Sequence, residues 1–111
     1  METRRVFVLW DGPEHDILSL LPEPWQENFG ADPDEDDIRL VLYRRLDEHE
    51  EATGEVIGVE ILDFLTFERW HALSGMPHQW QIQNDEPLPL PILLRRLQVE
   101  LRKRANVAAH A

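Results

Sequence analysis

The chain has 111 residues, 22 acidic against 11 basic side chains for a formal charge of −11, 42% hydrophobic residues and no cysteine. That length makes one domain, and that apolar content argues against global disorder. Without cysteine there is no disulfide, thiolate catalysis or cysteine-ligated metal, and a reducing cytoplasm is the expected location.

Residues 4–10, RRVFVLW, are rich in β-branched and aromatic side chains and predict a strand. The opening METRRVFVLWDG turns acidic too soon for a signal peptide. Residues 11–15, DGPEH, are turn formers, and residues 16–21, DILSLL, predict a second strand that completes a hairpin. Pro22 and Pro24 end it, because proline cannot donate to a ladder. Residues 22–36 form an acidic loop pinned by Trp25 and Phe29.

Residues 37–46, DIRLVLYRRL, alternate as a half-buried strand, with Ile38, Leu40, Leu42 and Leu46 inward and Arg39, Val41, Tyr43 and Arg45 outward. A charged turn over 47–54 leads to a strand over 55–63, EVIGVEILD. Ile57, Val59 and Ile61 share its core face, and Glu60 lies on the more open one, opposite Arg39, Arg44 or Arg45. Glu60 is read as structural, since no titratable partner stands at a recognisable spacing.

Thr66 caps a short helix, FERWHALS, closed by Gly75. Residues 80–83, WQIQ, suggest a short edge strand, and 85–91, DEPLPLP, are extended by their prolines. Pro91 starts a last helix to about Arg104, on which Leu90, Leu93, Leu94, Leu97 and Leu101 make one apolar stripe. The expected fold is α+β: an antiparallel sheet of two hairpins, four to five strands, with a short helix and a longer C-terminal helix packed on one face. Residues 1–105 make the domain, and 106–111 a frayed tail. No apolar run reaches the about 20 residues of a membrane span.

Two segments together resemble a known family. Residues 10–20, WDGPEHDILSL, are similar to the Y-D-x-x-x-D-x-L-x-I opening hairpin of domain-of-unknown-function family twenty-two eighty-three, a small bacterial family. Residues 58–63, GVEILD, are similar to its second signature, G-x-E-I-L-D-A. Trp10 stands for the usual tyrosine, one extra residue lengthens the first turn, Phe64 replaces the common alanine, and the chain after Phe64 is longer than usual. The match covers about half the chain. The resemblance implies two successive hairpins with a following helix, no established catalytic residues, and an antitoxin-like role.

Candidate chemistry is sparse. Asp11, Glu14, His15 and Asp16 crowd one turn; a solvated turn with the aspartates on backbone amides is preferred to a metal site, because calcium-loop spacing is lacking. Glu68 and His71 form a single Glu-x-x-His, where a di-metal bundle needs two copies, and His71 is expected to be partly buried with a hydrogen-bond partner. Trp25, Trp70 and Trp80 with Phe29, Phe64 and Phe67 are read as seals of a thin core.

Neither cofactor nor metal is expected. The charge is uneven: residues 88–104 carry +4, leaving −15 elsewhere. Such a body repels nucleic-acid phosphates and anionic lipid but attracts a basic protein. The expectation is a non-enzymatic interaction module that engages a basic, toxin-like partner or a second copy in a homodimer, with Arg95, Arg96, Arg102, Lys103 and Arg104 as candidate partner-binding residues. The competing reading is a small-molecule or enzymatic pocket formed by Trp25, Glu68, Trp70, His71 and Trp80.

Overall fold

The computed structural model describes residues 2–25 and 28–110, the side chains of 108–110 excepted. Seven strands form one mixed sheet: β1 (Thr3–Asp11), β2 (Ile17–Pro22), β3 (Phe29–Pro33), β4 (Leu40–Leu46), β5 (Ala52–Leu62), β6 (Gln79–Ile82) and β7 (Leu88–Pro89). Their spatial order is β3-β4-β5-β2-β1-β6-β7. One helix, α1 (Leu90–His110), closes the chain.

The expected α+β class and both hairpins are present: β1 pairs antiparallel with β2, and β4 with β5. The sheet, however, is larger than four to five strands and not wholly antiparallel, because β6 runs parallel to β1. The acidic loop supplies the unforeseen β3, paired with β4 through Phe29↔Arg45 to Pro33↔Val41. Its sequence FGADP shows no apolar alternation, since an outermost strand has one ladder to satisfy and little side-chain area to bury. The residues expected as an edge strand instead form β6, flanked by β1 and the two-residue β7.

One side of the sheet carries the core. Val6, Leu18, Leu20, Leu40, Val59, Ile61 and Trp80 are at most 1% exposed and pack with Leu90, Leu93, Leu94 and Leu101 of α1. The leucine stripe therefore docks on its own sheet. The predicted isoleucine-valine-isoleucine face is corrected by a β-bulge: Tyr43 faces Gly58 but Arg44 faces Val56, so Ile57 is the extra residue. Val56 takes its place in the helix-side cluster, and Ile57, fully buried, is not part of that cluster. Ile38 is also corrected. It precedes β4 in a turn and is 78% exposed.

The helix predicted after Thr66 is replaced by two 3-10 turns, Phe64–Thr66 and Trp70–Leu73. Thr66 ends the first instead of capping a helix, its hydroxyl donating to the Asp63 carbonyl. Phe64, Phe67 and Leu73 point from this segment into the core. The final helix starts at Leu90 and continues to His110 instead of ending near Arg104. The buried Gln98 fastens it by donating from Nε2 to the carbonyls of Phe64 (2.8 Å) and Phe67 (3.0 Å). Arg102 donates from Nε and Nη2 to the Leu65 carbonyl.

Gln98→Leu fills the same space but removes the side-chain donor from the Phe67 carbonyl and leaves the Phe64 carbonyl only the Phe67 amide. It is expected to lower unfolding free energy by about 1–3 kcal/mol, measured by urea denaturation.

Candidate interaction surface

The other side of the sheet is covered by no helix or strand among the described residues. By the alternation of strand side chains, the residues facing it come from every second position of β1 to β5. Val41, Glu60, Ser19 and Leu9 make one row across β4, β5, β2 and β1. Tyr43 and Gly58, then Leu21 and Phe7, make the next, while Leu62 and Ile17 flank the first row on its other side. Leu9 is 53% exposed and Leu62 37%.

Aromatic rings span one end of this face. Trp25 lies 6.4 Å from Phe7 and meets Phe29 edge-on at 5.4 Å, and Phe29 lies 4.9 Å from Tyr43, centroid to centroid. Trp25 nevertheless stays 50% exposed. Tyr43 is placed by glycine: a Cβ on Gly58 would sit 3.1 Å from its ring and 2.6 Å from the Leu20 carbonyl oxygen. The ring crosses that gap, and its hydroxyl donates to Glu60 Oε2 at 2.7 Å. Burial first, and then this bond to a carboxylate, raise the Tyr43 pKa well above its ordinary value. Glu60 thus lies on the open face as expected, but its neighbours are Val41, Ser19 and Tyr43 instead of the arginines.

Those arginines are engaged elsewhere. Arg39 grips Asp37 with two bonds of 2.9 and 2.8 Å, Arg44 holds Asp32 at 2.7 Å, and Arg45 holds Glu55 at 2.5 Å. Glu55 also accepts from Arg4 at 2.8 Å. Burial alone would raise the Glu55 carboxyl, but the hydrogen bonds and charges of Arg4 and Arg45 outweigh it and hold the pKa below its ordinary 4.5. Asp37 falls from 3.8 to about 2 through its bonds to Arg39.

Acidic side chains collect at the strand ends. Asp11 at the end of β1 and Glu14, Asp34, Glu35 and Asp36 in the loops lie at one end, and Asp47, Glu48, Glu50 and Glu51 in the turn at the other. The β1–β2 turn is tied down internally: Asp16 accepts from Trp10 Nε1 and from the Leu65 amide, while Asp11 sits 3.0 Å from His15. Among the described residues, no group of three or more histidine or carboxylate side chains could hold a metal.

The residues proposed for a pocket are dispersed. Trp25 belongs to the open face, Trp80 is buried in the core, and Trp70 packs edge-on against Phe67 beneath the Arg95 guanidinium, 5.2 Å away. Glu68 is exposed, and so is His71, contrary to the partial burial expected. Trp80 also lines a cleft of about 310 Å³ with Arg44, Glu55, Ser74 and His78. A second cleft, about 360 Å³, separates α1 from the β6–β7 turn beside Leu88, Leu93 and Arg96.

The candidate helix cations do not form one free patch. Arg95 is stacked and Arg102 is bonded to the Leu65 carbonyl. Arg96 lies 3.8 Å from Glu86 and Lys103 3.9 Å from Glu100, both pairs largely exposed, as is Arg104. No helix of the described residues is long and apolar enough to cross a membrane. Comparison with known protein families, characterised proteins and solved structures finds no match to this chain.

Two outcomes follow. Gly58→Ala is expected to cost about 1–3 kcal/mol by overpacking, read by urea denaturation. Because the folded pKa of Glu55 is depressed, its contribution is complete above pH 4.5 and is lost as pH falls through the lowered value. The stability gap between wild type and Glu55→Gln should therefore be widest near neutrality and narrow below pH 4.5, measured by urea midpoints across pH.

Proposed function

We propose that this protein is a non-enzymatic interaction module whose docking surface is the uncovered face of the sheet. The observation that carries this reading is the exposure of Leu9, Trp25 and Leu62 around an aromatic row on that face. Exposed apolar side chains gathered on one face and rimmed by charge are characteristic of a protein contact. The acidic loops at both strand ends would steer a basic partner onto it. A basic toxin-like partner agrees with the antitoxin-like role that the WDGPEHDILSL and GVEILD resemblance implies. The non-enzymatic reading is supported by Glu68 and His71, which are exposed, and by Glu60, whose hydrogen bond among the described residues is to the Tyr43 hydroxyl.

The test is capture from the source cell with wild type and the double variant Leu9→Asp/Leu62→Asp. Both positions are exposed, so circular dichroism and melting should change little. Partner recovery should fall at least ten-fold, and the wild-type complex should weaken as salt is raised. Equal recovery of the same partner by both proteins would refute the reading.

A further inference from the structure

Resting on that reading, the geometry points to the chemistry at the centre of the contact. We propose that Tyr43 and Glu60 receive a cationic side chain, arginine by preference, from a protein partner whose contact surface is otherwise apolar.

Glu60 is the middle residue of the exposed face. Along β5 its neighbours on that side are Gly58 and Leu62; across the ladders they are Val41 and Ser19. Leu9, Ile17 and Leu21 lie just beyond. A carboxylate among such neighbours is tolerable while water reaches it, and Glu60 is half-buried, so water does. A purely apolar partner would strip that water and leave an uncompensated charge, which is strongly disfavoured. Some group from the partner has to answer it.

The chain does not answer it from its own stock. Oε2 holds the Tyr43 hydroxyl, and no other hydrogen bond reaches the carboxylate among the described residues. The three nearest arginines of β4 and its preceding turn are committed: Arg39 to Asp37, Arg44 to Asp32 and the Gly54 carbonyl, and Arg45 to Glu55. Arg5 shares the face but lies four residues below Leu9 on β1, about 13 Å away along the strand.

Arginine suits the site better than lysine. The Tyr43 ring adjoins the carboxylate through its hydroxyl, and a planar guanidinium stacks on a ring while donating to a carboxylate oxygen. It is also less strongly hydrated, so its burial is less opposed. The surrounding Leu9, Leu62 and Leu21 would then exclude water from the pair, the arrangement found around interface hot spots.

The experiment uses two peptides, acetyl-Leu-Val-Arg-Val-Leu-amide and its counterpart with citrulline, which has the same shape without the charge. Each is titrated into the isotopically labelled full chain and followed by amide and side-chain resonances. The arginine peptide is expected to shift Tyr43, Glu60, Ser19 and Leu9 and to bind at least ten-fold more tightly than the citrulline peptide. In Glu60→Gln the amide oxygen can still accept from Tyr43, and the preference should disappear.

Equal binding of both wild-type titrations at this face would overturn the inference while leaving the face as a docking surface. Shifts confined to the acidic loops, or none up to millimolar peptide, would overturn it as well. The wild-type comparison decides the matter by itself should the variant fold poorly.

Discussion

A single helix has to close a sheet seven strands wide, and it can close only one side. Twenty-one residues give α1 a length of about 31 Å and a width of about 10 Å. The outer strands of the sheet stand roughly 29 Å apart. The helix alone would leave much of that side wet. The 3-10 segment fills the difference, sending Phe64, Phe67 and Leu73 into the core. Gln98 and Arg102 hold helix and segment together by donating to the carbonyls of Phe64, Phe67 and Leu65. The helix and the 3-10 segment thus both cover the same face.

The opposite face inherits what remains. Its only cover at the described positions is the row of rings from Phe7 to Tyr43, which rises from the sheet's own strands and from Trp25. Its polarity is set by how the ion pairs are distributed. Arginines of β4 and the turn before it are drawn to acids in that turn, on the edge strand and on the first half of β5, where the partners are within reach of long side chains. Glu60, in the middle of the sheet, is left with a phenol. The same geometry explains two residues of GVEILD: Gly58 makes room for the Tyr43 ring, and Glu60 receives its hydroxyl.

Much of the local structure was legible in the sequence. The β-branched and aromatic content of RRVFVLW and the alternation in DIRLVLYRRL predicted β1 and β4, and the turn formers between the first two apolar runs predicted a hairpin. The leucine spacing of three and four identified α1 and its buried side, because helical periodicity is a property of the chain alone. Other features had weak local signals. FGADP pairs as an edge strand through backbone groups that any sequence carries. The bulge that exchanges Val56 for Ile57 follows from fitting β5 against β4. FERWHALS has helix-forming residues, yet its aromatic and leucine side chains are drawn to separate points of the core, and short 3-10 turns deliver them there.

By itself, then, the chain determined its α+β class, its two hairpins, the side of α1 that would be buried and the open orientation of Glu60, all consequences of side-chain period and turn chemistry. Only the tertiary structure decided that the sheet has seven strands with one parallel pair, that Trp25, Trp70 and Trp80 part company, and that Glu60 meets Tyr43 instead of an arginine. Those outcomes depend on which strands become neighbours. Pairing is a long-range choice made by total burial and hydrogen bonding, and no short window of sequence contains it.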